Sequence, residues 1–513
     1  MAQQFFKIDL QKPAFPMLSK QQTRTRIGSG QRSQSVDTQD EVGISYCHNV
    51  MPTEYGYNAV GMNLTVAGIT PSGTMIDVRE IFSLDRSPFY LGMDDVGRLY
   101  TRLVGSSSSW RALADTFPIV SGLYPTFDSK DCTVATVNGI SYIMFSTLDR
   151  FLVMNYNQAT HIMTAPTLST ITLSATRGLV SANGYLIAYG TSAVAWSSTI
   201  DPTDFAPSDV TGAGGGNIPD IKGAIQFCVT NSLGFLIYAQ GNIVAATYTG
   251  NVLYPFKFRE VKGSEGGVSI NQTSFGANEE FQFAYTKAGL QTIISSKAET
   301  ILPEITDFLS GDIFEDYDSA TNTFTESDVS PNVLQKRLTY ISSRYLVLSY
   351  GIGTTTATRF SYALILDTSL NKLGKIKVAH TGCAEMQRST VDAANNCVTF
   401  IAANGDVNTV DFTGDNITDS VLMLGKLEQT YSRLITVQEL EVENVPTGKE
   451  ITVSDRVALD GVNPVDTPLV EYSRAGNLRT YKMLLTGKNH TFTFEGEFNL
   501  VTALLKYTLA GRS

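Results

Sequence analysis

One unit recurs between residues 50 and 424: a turn, a short apolar or alternating strand, a second turn and a second strand. The pairs are 138–145 with 150–156, 183–190 with 193–197, 234–238 with 241–246, 281–285 with 289–294, 345–350 with 360–366, and 397–401 with 405–410. A weaker copy runs from Ile81 through Tyr90 to Tyr100 and Trp110. Each pair reads as a hairpin, because a short apolar run bounded by turn residues is the pattern of paired strands. The units repeat every roughly 45–60 residues, which matches a four-stranded propeller blade of ~40–50 residues carrying loop insertions. A lone blade exposes both apolar faces; radial packing buries them and leaves only short edges. The expected fold is therefore all-β, a β-propeller-like ring of roughly six or seven blades over residues 46–425. Nothing in the pattern shows where the ring closes.

The flanks differ. The stretch from Ser19 to Glu41 is rich in Gln, Arg, Ser and Thr, with almost no large apolar residue. Such a segment cannot bury enough surface to offset its ordering entropy. Residues 1–45 are expected to be an extended arm, ordered only against a neighbour, or else a plain disordered tail. Gln21, Arg24, Arg26 and Arg32 are its candidate interface residues, and removing residues 1–43 should leave the propeller folded. After about Lys426 the rhythm changes, and residues 426–513 suggest a small sandwich-like or barrel-like β unit, or else strands that close the ring. Within the body, residues 298–309 (AETILPEITDFL) have near-helical apolar spacing and open a polar insertion over about 298–335.

Composition narrows the function. Only 17% of the 513 residues are charged, below the ~25% of an average soluble protein. The net charge is −11, and no basic stripe offers the counterion release that sequence-independent nucleic-acid binding requires. An acidic surface suits a conduit that must not grip DNA, and equally suits simple solubility. Cys47, Cys132, Cys228, Cys383 and Cys397 are dispersed, without C-x-x-C spacing. They read as small buried hydrophobes in a reducing compartment, not as a disulfide framework or zinc site. The N-terminal residues lack the apolar core of a signal peptide, and no run approaches the ~18 apolar residues of a membrane-spanning helix.

Motifs for catalysis are absent from the sequence. There is no G-x-S-x-G and no H-E-x-x-H, and His48, His161, His380 and His490 are far apart. Gly212–Gly216 is followed by Asn217-Ile218-Pro219-Asp220 instead of the Lys-Ser/Thr of a phosphate loop, so a flexible blade-connecting loop is expected. Asp316-Tyr317-Asp318 begins like a calcium loop, but Thr321 stands where glycine is needed and Ser327 where the bidentate Glu belongs. No catalytic, cofactor or metal residue is nominated.

Residues 189–294 carry a resemblance. Ala195-Trp196-Ser197-Ser198 is followed by Asp201-Pro202-Thr203-Asp204-Phe205, then by Pro255-Phe256-Lys257-Phe258 and Gly266-Gly267. Together with Asn49–Gly56 this resembles the tail hub, nozzle and DNA-stabilisation proteins of short-tailed bacteriophages. The resemblance implies a non-enzymatic virion subunit without cofactor. It implies a homo-oligomeric ring, often six-fold, around the DNA exit channel. Its partners would be an adaptor and a fibre or spike, with double-stranded DNA passing unbound and no membrane anchor. It would be made in the host cytoplasm and reside in the virion. A receptor-binding propeller and a carbohydrate-active propeller enzyme are the alternatives. From the residues themselves, Trp196 and Phe205 are expected between blades, and Pro202 and Pro255 at turns where their fixed φ is useful. Gly266 and Gly267 suit either a positive-φ corner or a close subunit contact.

Overall fold

The computed structural model describes residues 4–10, 24–27, 44–65, 73–94, 99–103, 110–112, 132–145, 151–155, 162–164, 171, 173, 176–266, 274–277, 281–286, 289–294, 297–301, 314–318, 323–327, 331–341, 344–352, 360–385, 398–411, 419–429, 434–444, 451–458 and 465–510. Seven four-stranded antiparallel units follow one another among them. Blades 1 to 6 occupy residues 75–112, 132–164, 178–217, 225–260, 274–300 and 331–380. Blade 7 takes three strands from residues 382–411 and its outermost strand, Gly61–Thr65, from the other end of the chain. The first strands of successive blades pack side by side, and Gly382–Glu385 of blade 7 returns onto Met75–Phe82 of blade 1. The ring is closed, and the chain is a seven-bladed propeller.

Closure rests on one antiparallel pairing, from Gly61 opposite Asp411 to Thr65 opposite Val407. The seam between blades 7 and 1 has its own core of Met75, Val78, Tyr90, Tyr100, Trp110, Ile401 and Val407. The Trp110 indole donates to the Gly405 carbonyl at 2.6 Å, and the Met75 amide donates to Ala403 at 2.7 Å. Further hydrogen bonds stitch other blade interfaces. The Phe82 amide donates to Ser141 and the Leu179 amide to Thr133, both at 2.8 Å. Arg177 donates to the Ile225 carbonyl at 2.8 Å. Arg337, on the first strand of blade 6, reaches the carbonyls of Thr381 at 3.4 Å and Val78 at 3.1 Å, so one guanidinium ties three blades.

Residues beyond the ring form a two-sheet sandwich. One sheet contains Gln4–Asp9, Asn499–Ala510, Leu434–Asn444, Leu478–Gly487 and Glu471–Ala475; the other contains Arg24–Ile27, Ile44–His48, Val421–Gln429, Asn489–Gly496, Ile451–Ala458 and Val465–Leu469. Their shared core includes Ile8, Leu10, Ile44, Leu422, Val437, Leu440, Phe492, Phe494 and Leu505. His490 and Asp455 are buried in it, Nδ1 to carboxylate oxygen at 2.7 Å. The His490 Nε2 faces the Ile435 carbonyl at 3.1 Å. A carbonyl only accepts, so Nε2 carries a proton and links the two sheets. Burial pushes the Asp455 carboxyl above its ordinary range, against the pull of His490.

The sandwich is fixed to the outer edge of blade 6, where Val50 pairs with Lys375. Asn49, in a left-handed conformation at φ 50°, donates to Asp419 at 2.7 Å and accepts from the Lys377 amide at 2.9 Å. Ser420 donates to the Asn49 carbonyl at 2.8 Å. Hydrogen bonding from His48 holds the Asp419 carboxyl below its usual range. Lys375 lies over the rings of Tyr46 and Tyr362. Both chain crossings between propeller and sandwich are thus locked in one polar knot.

Several expectations are corrected here. The described parts of the N-terminal arm do not await a neighbour. Gln4–Asp9 pairs with Asn499–Ala510, and Arg24–Ile27, carrying Arg24 and Arg26, pairs in parallel with residues 426–429 of the same chain. Ile8 and Leu10 are buried because residues 5–10 alternate well enough to supply one sandwich edge. Gln21 and Arg32 lie outside the described residues. The ring-closing strand comes from residues 61–65, not from the C-terminal unit. Lys297–Thr300 is a strand instead of the start of a helix, because its pairing with Gln291–Ile294 completes blade 5 and buries Ala298. The remainder of the expected helix, residues 302–309, lies outside the described residues. Gly214–Asn217 is the outermost strand of blade 3 and not a flexible loop. Within the polar insertion, Phe314–Asp318 and Thr323–Ser327 form a hairpin.

Two outcomes follow from this architecture. Trp110→Ala should cost about 3–5 kcal/mol, since it opens a cavity at the seam and orphans the Gly405 carbonyl; urea denaturation measures it. His380 is buried between Phe360 and Phe400, with Nδ1 at 2.7 Å from the Val378 carbonyl and Nε2 at 2.7 Å from Ser349. Burial lowers its pKa from 6.5 to about 4. The unfolded chain binds the proton near 6.5 and the folded chain only near 4, so stability falls as pH falls through that window. Between pH 7 and pH 4.5 this one group should remove about 2.5 kcal/mol. The wild type should lose that much more than His380→Gln in paired denaturation curves.

Candidate functional site

Antiparallel pairing fixes which turns share an end of the propeller. In every blade the first–second and third–fourth turns lie at one end, and the second–third turns and blade crossovers lie at the other. The exposed large apolar residues of the propeller all fall at the first end among the described residues. They are Leu84 in blade 1, Ile200 and Val210 in blade 3, Leu233, Tyr248, Val252, Leu253 and Tyr254 in blade 4, and Ile294 in blade 5. Exposures of 82% for Ile200, 88% for Val210 and 73% for Tyr254 place whole side chains in water. Scattered exposed apolar residues are ordinary; a set confined to one end makes that end a candidate contact surface.

Blades 3 and 4 supply most of this end through two loops, 197–213 and 249–255. The first is held rigidly by its own polar groups. Asp201 accepts from the Thr203 amide at 2.8 Å, and the Asp204 amide closes a turn onto the Asp201 carbonyl at 3.0 Å, with Pro202 at the position where fixed φ suits the bend. The Ser198 amide donates to the Asp204 carbonyl at 2.7 Å, and the Ser208 amide to the Ala213 carbonyl at 3.0 Å. The second loop is closed by the Thr249 amide donating to the Pro255 carbonyl at 2.8 Å, and Asn251 accepts from the Leu253 amide at 2.9 Å. Apolar side chains are therefore presented on fixed backbone.

Beneath the loops lies an aromatic support. Phe256 sits edge-on to Tyr185 at 5.5 Å, Trp196 at 5.9 Å and Phe235 at 5.1 Å. The Trp196 indole donates to the Gly212 carbonyl at 3.0 Å, and Gly212, at φ 74°, leaves room for Val252 to pack on it. Phe258 packs on the same core between blades 3 and 4. Phe205 is buried one interface over, among Ala135, Tyr142, Met144 and Leu186 of blades 2 and 3. Burial raises the Tyr185 phenol above its ordinary pKa. The W-S, D-P-x-D-F and P-F-x-F segments thus converge on one end of adjacent blades. Asp201, Asp204 and Asp209 rim it, and the two loops contain no Lys or Arg.

Gly266 does not join this site. Gly266 presses on the backbone of Gln240 and Gly241 within the same chain, so a Cβ there would lie 2.0 Å from the Gln240 carbonyl oxygen; this close approach, and not a positive φ, requires glycine. Gly267 lies outside the described residues. What sequence reasoning missed are Ile200, Val210, Leu233, Val252, Leu253 and Tyr254. Each stood inside a recognised turn or loop, and apolar residues in loops that are otherwise polar were the available signal.

The propeller axis is different in character. The first strands of blades 2 to 5, Cys132–Val137, Gly178–Ala182, Ile225–Asn231 and Ser274–Ala277, contain no Asp, Glu, Lys or Arg. Charges on the other three, Asp77, Arg79, Glu80, Lys336, Arg337 and Glu385, balance. No group of three or more His, Cys, Asp or Glu residues suited to a metal ion occurs among the described residues.

No family model and no curated protein matches this chain. Solved structures of similar shape include YCF48 bound to a D1 peptide, at 10% identity and a TM-score of 0.36, covering 71% of this chain and 99% of that one. The N-terminal domain of Nup159 is similar at 10% identity and a TM-score of 0.34, covering 71% and 98%. BBS1N in complex with ARL6DN is similar at 8% identity and a TM-score of 0.36, covering 69% and 95%.

The support and the presented residues should separate in a stability assay. Phe205→Ala should cost about 3–5 kcal/mol. Tyr254→Ser, in an exposed loop, should stay within about 0.5 kcal/mol of wild type. Thermal and urea denaturation of both variants checks this.

Proposed function

We propose that this protein is a structural ring component of a short-tailed phage tail, a hub or nozzle subunit around the DNA path that helps retain and then release the genome. The observation that carries the proposal is the apolar end of the propeller, a set of exposed apolar side chains held on hydrogen-bonded loops and suited to contact with other subunits. Phosphate contacts from Lys and Arg supply most non-specific affinity for DNA. Four successive first strands without Asp, Glu, Lys or Arg leave the propeller axis sparsely charged, and an overall charge of −11 suits DNA that passes through the assembled ring without being held. The same sparseness supports a non-enzymatic role, since a propeller glycosidase needs converging carboxylates. Motif resemblance supports the tail assignment, because the segments that carry it are those that build the apolar end. The partners proposed are further copies of this chain, an adaptor above and a fibre or spike protein beside or below.

A receptor-binding propeller is the second reading, favoured by the exposed aromatic rings of Tyr248 and Tyr254. The two differ in assembly. A hub or nozzle subunit should appear in images of virions as a ring below the portal, labelled by antibody to this chain. Labelled density at fibre tips, with no ring, would support the receptor-binding reading and end the hub proposal.

A further inference from the structure

We propose that the sandwich closes around one extra proton, held by His490 with Asp455, and that loss of this proton above neutral pH lets the two sheets part while the propeller stays closed.

The proton count follows from what faces the ring. His490 and Asp455 are both completely buried. The imidazole stands between two acceptors: the Ile435 carbonyl of the opposite sheet lies 3.1 Å from Nε2, and the Asp455 carboxyl of its own sheet lies 2.7 Å from Nδ1. A neutral imidazole has one hydrogen for its two nitrogens. Two hydrogens are therefore needed to fill both contacts. The second sits on Nδ1 in an imidazolium–carboxylate pair, or on Asp455 in a neutral pair, and the total is the same in either form. Burial raises the Asp455 carboxyl, which helps to keep the proton in place. With only one hydrogen left, the buried carboxylate claims it through Nδ1. A bare Nε2 lone pair then faces the Ile435 carbonyl, and the contact that fails is the one joining the sheets.

The described side chains around the pair leave this count unchanged. On its own sheet, Arg456 and Asp466 face each other at 3.9 Å, both partly exposed, and Asp466 adds a smaller upward push on Asp455. Glu495 follows the buried Phe494 and faces away from the core. On the opposite sheet, Glu441 and Glu443 flank the buried Val442, and Lys506 stands between the buried Leu505 and Tyr507, so these also face away. Glu439 pairs with Lys482, which lies exposed over Tyr472, and Arg479 faces Glu471. Tyr481 and Tyr507 line the shared core, and burial keeps both neutral through the range concerned. Phe492 stacks on the imidazole at 6.4 Å.

In water, ordinary histidine and aspartate side chains titrate near about 6.5 and 3.9. Between those values an opened sandwich also holds both protons, and the balance between closed and open is flat. Above about 6.5 the opened state keeps one while the closed state keeps two, so closure weakens as pH rises, by up to about tenfold per pH unit. The sign is opposite to that of His380, whose contribution is lost as pH falls. Propeller closure uses Gly61–Thr65, Val407–Asp411 and the Trp110 seam, and none of these residues belongs to the sandwich core.

Hydrogen exchange with mass spectrometry on the full-length chain tests this between pH 6.5 and 8.5. Peptides covering residues 451–458 and 489–496 report the sandwich, after correction for the intrinsic pH dependence of exchange. Their opening constant should rise about fiftyfold over that range. Emission from Trp110 and Trp196, the two tryptophans of the chain and both in the propeller, should stay constant. Asp455→Asn offers Nδ1 an amide donor in place of the extra proton and should hold the rise below about threefold. His490→Gln removes the titrating ring and should do the same, so either variant serves if the other does not fold. A wild-type rise below about threefold, or equal rises in wild type and variant, would sink the extra proton. A change in tryptophan emission over the same range would show that opening is not confined to the sandwich.

Discussion

Everything in the propeller depends on five residues, Gly61–Thr65, pairing with Val407–Asp411. The two strands are separated by roughly 340 residues of chain, so joining them costs about 5 kcal/mol in loop-closure entropy beyond a constant. Backbone pairing of one short strand does not offset that alone. The seam core around Trp110 does, because it becomes dry only when blade 7 reaches blade 1. Closure and seam burial are therefore one event. An open row of blades has two exposed edges and can fray from either end, whereas the closed ring has none on its inner circumference. Arg337 extends the same coupling by holding carbonyls of blades 7 and 1 from blade 6.

The sandwich is a consequence of the same closure. Once residues 61–65 are committed to blade 7, the chain before them must leave beside the chain after residue 411. The two exits are held together by Asn49, Asp419 and Ser420. The N-terminal strands then share one core with residues 421–510. Lys375 is buried at this junction between two tyrosine rings, and the Cys47 thiol beside it is pushed up to about 12 by burial. A thiol with so high a pKa stays protonated and inert. The knot is structural, and it ties the propeller and the sandwich together at both chain crossings.

Seven hairpins were legible because their turns are local. Asn138-Gly139 and Asn183-Gly184 both adopt positive φ at both positions, as two-residue hairpin turns require. The closing strand was not legible because its partner is remote: Gly61–Thr65 has no adjacent hairpin mate, and spacing in sequence says nothing of a pairing across the ring. The arm was misjudged by averaging. Its polar middle hid the alternation at residues 5–10, where Ile8 and Leu10 face the core and Phe5 and Lys7 face water. Residues 298–300 were misread because apolar spacing over a short window fits helix and strand alike, and only the partner strand decides. Trp196 and Phe205 were placed correctly between blades, since large aromatic residues next to turns have few other places to go.

The apolar end was hidden in the sequence for a topological reason. Leu84, Val210, Tyr254 and Ile294 are spread over about 200 residues, and no motif joins them. They share an end only because each blade enters the ring with the same direction of its first strand, so every first–second and third–fourth turn is carried to one side. That rule gives the propeller a polarity that composition does not show. A polar body with an apolar end and a side-mounted sandwich does not present the same surface at both ends.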